Sequence, residues 1–228
     1  MATPKHAIAS FLRAVPGKKQ MLVIKFIVFT LCLTPLLRLV WLGVHDDLSA
    51  NPVEFVEHST GFWSLFLLLS SLGLTPIRLV TRCAWPIQLR RILGLFMFFY
   101  ACLHLSTYLW LDYSFNWADI ISDIVKHPYV LIGSSAFILA IPLAVTSSHA
   151  MMRRLGRHWL QLHRLVYLIA ILGVIHFWWL VKKDIREPLL FASVLFILLA
   201  VRIYYRVLAK QRMLAAQTPV TLSTNQNI

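Results

Sequence analysis

Acidic residues are scarce in this chain. Nine Asp and Glu stand against 22 Lys and Arg in 228 residues, and none of the nine lies inside an apolar run. A chain of buried carboxylates, which would relay protons or bind cations inside a membrane, is therefore missing, and this argues against a transporter. Cysteine is also sparse. Cys32, Cys83 and Cys102 are scattered with no CxxC and no CxxCH, so neither a disulfide framework, a zinc site nor covalently attached haem is indicated. Charged residues of both signs make up only 14% of the chain, and neither an internal repeat nor a low-complexity tract is evident.

What is present is apolar surface. Hydrophobic residues make up 59% of the chain and the mean hydropathy is +0.71, which excludes an ordinary soluble domain. A membrane span needs about 20 apolar residues. Runs at about 22–43, 61–80, 92–111, 128–147, 163–181 and 188–208 supply six. The pattern predicts an all-α membrane protein, a six-helix transmembrane bundle over residues 22–208, with a basic leader (1–21) and a polar, disordered tail (209–228).

The charges set the orientation. The first link carries Asp46, Asp47, Glu54 and Glu57 with no Lys or Arg, and the third carries Asp112, Asp119 and Asp123 with only Lys126. The second carries Arg82, Arg90 and Arg91, and the fourth Arg153, Arg154 and Arg157. Lys and Arg in short links stay in the cytoplasm, so both termini are expected to be cytoplasmic and all nine acidic residues to face outward. The net charge of +13 then reads as topology, and no nucleic-acid partner is expected. The leader precedes an apolar run too long for a signal peptide and lacks a small-x-small cleavage site, so it is expected to stay attached. Trp41, Trp63, Trp110, Trp178 and Trp179 near the outer ends, with Trp85 and Trp159 near the inner ones, form an aromatic belt against the lipid bilayer. Pro35, Gly73, Pro76, Gly94, Gly133, Pro142 and Gly173 lie within the runs, where packing and local kinks account for them.

Three histidines, His104, His163 and His176, lie in or at the rim of apolar runs, where an unpartnered ring is costly. His104 follows Arg91 by thirteen residues and His176 follows His163 by thirteen, on two helices that rise in the same direction. Each upper histidine then sits about 20 Å above its helix's inner end. A level pair on two helices can hold the two faces of a haem iron, giving a six-coordinate centre suited to electron transfer. The lower level lacks its second histidine. His163 has Arg90 or Arg91 across from it, so a second haem there needs a different sixth ligand or stays five-coordinate. Thirteen residues also leave two side chains about 140° out of register, so His163 and His176 share a face only if their helix bends, with Gly173 as a candidate. Arg90 and Arg91, entering the third run below His104, are candidates for holding haem propionates or a flavin phosphate; their ordinary role is cytoplasmic anchoring.

The segments RRILGLFMFFYACLHLSTY and RRLGRHWLQLHRLVYLIAILGVIHFWW resemble the ferric-reductase-like transmembrane domain, and specifically the haem-binding membrane subunit of the bacterial periplasmic protein-methionine-sulfoxide reductase system. HSTG at His58 to Gly61 and LTPIR at Leu74 to Arg78 extend the resemblance over nearly the whole chain. It implies b-type haem, an FMN cofactor and residence in the bacterial inner membrane. It also implies electrons drawn from the quinol pool or a cytoplasmic flavin reductase and passed to a periplasmic molybdopterin-dependent reductase that repairs oxidised methionines. The functional histidines of that family match His104, His163 and His176. No nucleotide-binding domain follows the sixth run, so an external donor is expected, and Arg91 departs from the two complete histidine pairs of the related eukaryotic oxidases. The acidic outer links are expected to help dock the periplasmic partner. Two rival readings stand beside this one: a stand-alone ferric or cupric reductase, and a non-redox transporter or membrane scaffold.

Overall fold

The computed structural model describes residues 16–181 and 184–217, and every regular element among them is helical. The elements are α1 (Lys18–Val44), α2 (Pro52–Thr81), α3 (Arg90–Ser106), α4 (Trp117–Lys126), α5 (Pro128–Val145), α6 (His149–Leu155), α7 (Arg157–Leu162), α8 (Leu165–Leu180) and α9 (Arg186–Gln217). A 3₁₀ turn, Trp85–Leu89, leads into α3, and a π-helical stretch, Thr107–Asp112, continues it. Among the described residues, six segments are long and apolar enough to cross a membrane: Lys18–Val44, Pro52–Thr81, Trp85–Asp112, Pro128–Val145, Arg157–Leu180 and Arg186–Ala215. Most of the leader (residues 1–15) and the last part of the tail (residues 218–228) lie outside the described residues. Residues 209–217 of the tail continue α9 as helix.

Local chemistry explains where the helices depart from the apolar runs. α2 begins at Pro52, nine residues before its apolar run, because Asn51 caps it: the Asn51 side chain accepts from Glu54 N–H, and Pro52 holds the first helical position. Glu54, Glu57 and His58 are thus helical, although hydropathy places them in a link. The third link contains α4, capped by the Asn116 side chain accepting from Ala118 N–H. The fifth span is interrupted at His163 and Arg164, between α7 and α8, whereas Gly173 lies inside an unbroken α8. The bend anticipated at Gly173 is therefore ten residues early in the chain, at His163 itself.

α2 is the most buried helix, with Leu67, Leu68, Leu69 and Leu72 all in the core. Its principal partner is α3, and α5 pairs in the same way with α8. Ala136, Ala140 and Ala170 are buried along the second pairing, and side chains this small let the backbones approach. α1 and α9 lie at the periphery and turn Leu22, Phe26, Phe196 and Ile203 outward, as a lipid-facing surface requires. The acidic links meet at one end of the bundle, where His58 Nε2 of α2 lies 3.4 Å from Glu187 Oε2 of α9. The arginine-bearing links meet at the other. These are the acidic end and the basic end below.

Inside a membrane every backbone break must be satisfied by protein. Pro35 interrupts the α1 ladder, and one residue on the fully buried Tyr100 of α3 inserts its hydroxyl, accepting from Leu36 N–H at 3.1 Å and donating to Cys32 C=O at 2.8 Å. Tyr100→Phe removes both bonds and leaves two buried backbone groups short of a partner, a loss of about 1–3 kcal/mol. A lower thermal midpoint of the detergent-purified variant, with its absorbance spectrum unchanged, is the expected result.

Candidate functional site

His104 and His176 converge at the acidic end. His104 is in the last turn of α3 and His176 near the end of α8, and their ring centroids lie 6.1 Å apart with the planes at 79°. Each ring is anchored through the same atom. His104 Nδ1 donates to the Glu57 carbonyl of α2 at 2.9 Å, and His176 Nδ1 donates to the Tyr129 carbonyl of α5 at 2.7 Å. This fixes the tautomer of both imidazoles, leaving Nε2 unprotonated and without a hydrogen-bond partner among the described residues. Each Nε2 therefore keeps a lone pair.

Two glycines make room for the rings. A Cβ at Gly61 would lie 3.2 Å from His104 Nδ1, and one at Gly133 only 2.7 Å from His176 Nδ1. In both cases the glycine stands four residues after the accepting carbonyl, one helical turn away. The ring and its carbonyl are 47 residues apart in each half, so His176, Tyr129 and Gly133 repeat His104, Glu57 and Gly61 at a constant offset. The α2–α3 hairpin and the α5–α8 hairpin are thus two copies of one ligand-presenting unit, a structural repeat that the residue identities conceal.

The donor set of this pair fits the iron of a tetrapyrrole. Two imidazoles bound to one iron, at about 2 Å per metal–nitrogen bond, have ring centres roughly 6 Å apart. A backbone carbonyl accepting from Nδ1, as each ring has here, is a usual partner of a metal-ligating histidine. Among the described residues no group of three or more His, Cys, Asp or Glu is placed to hold a bare metal ion. Two nitrogen ligands fit a metal whose other four ligands come from a macrocycle.

The rim of this end is polar. In the link region around α4, Asp123 accepts from Tyr108 Oη at 2.8 Å and from His127 Nδ1 at 2.7 Å. Burial pushes the Asp123 carboxyl up, but the hydrogen bonds from Tyr108, His127 and Tyr113 outweigh it and hold the group below its ordinary 3.8. Burial and the same carboxylate push the Tyr113 phenol up to about 12. A depressed carboxyl contributes stability above its unfolded pKa and loses it as pH falls through the folded value. Asp123→Asn is therefore expected to lower the thermal midpoint at pH 7, and the gap between variant and parent should close as the pH is taken below 3.8. A gap constant over that range would remove the carboxylate from the account.

His163 belongs to the basic end and is bonded differently. Thr146 Oγ1 donates to Pro142 C=O at 2.6 Å, which leaves it to accept from His163 Nε2 at 3.1 Å. Trp159 stacks on the same ring, with centroids 4.0 Å apart, and donates from Nε1 to Thr146 C=O. His163 therefore has Nε2 engaged where the other two have it free. Of the two candidate arginines, Arg90 is half-buried and close enough for its charge to act on His163, while Arg91 is exposed. Sequence reasoning missed Gly61, Gly133, the Glu57 and Tyr129 carbonyls, and Thr146. The identical 43-residue spacing from each glycine to its histidine is the signal that could have revealed the first two.

Comparison with known proteins shows the family. Residues 60–174 match the family model described as ferric reductase like transmembrane component. A protein-methionine-sulfoxide reductase heme-binding subunit MsrQ of Herminiimonas arsenicoxydans is 45% identical over 193 residues, covering 83% of this chain and 88% of its own length. Proteins of the same name from Xanthomonas campestris pv. campestris and Rhodospirillum rubrum are each 51% identical, covering 73% and 77% of this chain and 76% and 85% of their own lengths. No solved structure matches. With α3, α5 and most of α2 and α8 inside the residues that the family model matches, and with relatives of 45–51% identity, the chain belongs to the ferric-reductase-like transmembrane family and, within it, to the MsrQ type.

Proposed function

We propose that this chain is a b-type cytochrome of the bacterial inner membrane. It would carry electrons from the quinol pool or a cytoplasmic flavin reductase to a periplasmic molybdopterin-dependent protein-methionine-sulfoxide reductase. The observation that carries the reading is the pair of imidazoles, His104 and His176, with Nδ1 tied to backbone carbonyls and ring centres 6.1 Å apart. The names of the relatives, heme-binding subunits of a methionine-sulfoxide reductase, support the assignment to that repair system.

His104 and His176 would hold haem b through Nε2, and the haem would supply one-electron transfer there. The chain's own part is orientation. Glu57 and Tyr129 fix both rings before any ligand binds, and Gly61 and Gly133 let them stand against α2 and α5. The positive-inside bias supports a cytoplasmic basic end and cytoplasmic termini, so the histidine pair would lie toward the periplasm, beneath acidic links suited to steering a partner. At the basic end, His163 with Arg90 and Arg91 is the proposed entry region, where an FMN or a second haem would be received. The domain limits proposed are a leader at 1–21, the haem domain at 22–208 and a tail at 209–228.

Reduced protein in proteoliposomes, mixed with the purified periplasmic reductase and a methionine-sulfoxide peptide, should show haem reoxidation that needs both additions. A colourless protein would overturn the reading. Reoxidation by ferric or cupric chelates alone, with none by the reductase, would replace it with a stand-alone metal reductase.

A further inference from the structure

Arg202 of α9 is buried in the bundle, 5% exposed, and among the described residues it is the one charged side chain in the core. Its guanidinium donates from Nη1 to Tyr167 Oη of α8 and from Nη2 to the Leu72 carbonyl of α2, and its Nε has no partner among the described residues. No ion pair reaches it among the described residues either. The acidic residue on its own helix, Glu187, lies fifteen positions away, about 22 Å along α9 toward the acidic end. Arg206, one turn further along α9, is positive as well.

Part of this arrangement has a structural reason. Leu72 lies four residues before Pro76, which has no N–H, so the Leu72 carbonyl is the one that Pro76 leaves without a helical donor, and Arg202 supplies it. That need does not require a charge. A neutral donor such as glutamine, serine or asparagine would satisfy a carbonyl, whereas a cation within a span is expensive unless an anion balances it. Nor does Arg202 reach for the membrane surface as arginines near helix ends do, because its head points inward at α2 and α8. Tyr167 stands one turn beyond His163, and Ser71, next to the Leu72 that Arg202 caps, donates its hydroxyl to the Arg90 carbonyl. The two arginines therefore meet α2 at neighbouring residues near the basic end, with no carboxylate ion-paired to either among the described residues.

We propose that Arg202, with Arg90, binds the anionic arm of a redox cofactor seated at the basic end beside His163. The arm is a carboxylate or a phosphate, and the unpartnered Nε–H with the remaining guanidinium hydrogens makes the charge-assisted bonds to it. This rests on the reading of the chain as a redox carrier whose electrons enter at the basic end. It adds a binding residue from the sixth span, which the histidine and arginine pattern of the sequence does not single out.

The test uses five full-length proteins purified in detergent: the parent, Arg202→Gln, Arg202→Lys, Pro76→Ala, and Pro76→Ala with Arg202→Gln. Haem per polypeptide is measured by pyridine haemochrome and flavin per polypeptide by fluorescence after acid release, and the low-spin signal of the His104–His176 centre reports that the bundle is folded. Arg202→Gln should lower retention of one cofactor by about tenfold or more, the value of a lost charge-assisted contact. Arg202→Lys should keep most of it. Pro76→Ala restores a donor to the Leu72 carbonyl, so the double variant separates the two roles of Arg202. Loss persisting in the double variant supports the proposal, with haem loss identifying a carboxylate arm and flavin loss a phosphate. Parental haem and flavin content in the double variant would overturn it and leave Arg202 as a cap for Leu72. A parent carrying neither haem nor flavin would instead overturn the redox reading on which the proposal rests.

Discussion

Alanine at His104 or at His176 is expected to remove the low-spin haem spectrum of the purified protein, while alanine at His163 leaves that spectrum in place. The first two rings present a free Nε2 from an Nδ1-anchored imidazole, and they face each other across 6.1 Å. His163 has its Nε2 committed to Thr146 and lies at the opposite end of the bundle. Loss of an outer-shell partner alone weakens metal binding by about 10–100-fold, so loss of the ligand should exceed that. The measurement is the oxidised and dithionite-reduced absorbance per polypeptide. Exogenous imidazole should restore the low-spin bands in either alanine variant, because each substitution leaves a ring-sized space next to a glycine. If both variants keep the parent's bands without imidazole, the pair is not the ligand set. A fall in total haem on His163→Ala, with the low-spin bands intact, would point to a separate centre at the basic end.

Much of this architecture is legible in the sequence, since six apolar runs and alternating link charge require no tertiary information. The depth of the histidine pair is also legible, because helical rise converts residue count into height. Which helices stand side by side is not. Nothing in the runs themselves says that α2 lies against α3 and α5 against α8, and the supporting residues become visible only through those pairings. The repeat stayed hidden for a related reason: the hairpins share a histidine, a glycine and a backbone carbonyl, whereas the lipid-facing positions are interchangeable apolar residues that keep no identity. A carbonyl leaves no trace in a sequence, and Glu57 reads as a charged surface residue while its backbone orients His104. Hydropathy likewise hid the first turns of α2, where Asn51 and Pro52 start the helix among polar residues. Arg202 reads as one more basic residue near the end of the last span until its burial is seen.

The two glycines should respond to the same substitution by different amounts, and the difference tests whether the rings stand where the geometry puts them. At Gly133 an added Cβ lies 2.7 Å from His176 Nδ1 and 2.8 Å from Cε1, closer than real Cβ atoms come. The contacted nitrogen is the one that donates to Tyr129, so the ring cannot yield without losing its anchor. The Cβ sits on a backbone held by the close α5–α8 packing of Ala136, Ala140 and Ala170, so the helix has little room to retreat. Gly133→Ala should therefore weaken the low-spin centre by about tenfold or more, the scale of losing an outer-shell partner. At Gly61 the nearest ring atoms of His104 are 3.2 Å away, and a shift of a few tenths of an ångström relieves the contact, so Gly61→Ala should keep the spectrum with a small loss of haem. Gly94, in the second turn of α3 with nothing within 4 Å of an added Cβ, supplies the control. There alanine should be neutral or raise the thermal midpoint, because it is favoured over glycine in a helix by about 1 kcal/mol. An ordering in which Gly133→Ala behaves like Gly94→Ala would mean that the His176 ring does not stand against α5, and the Tyr129 anchor would fall with it.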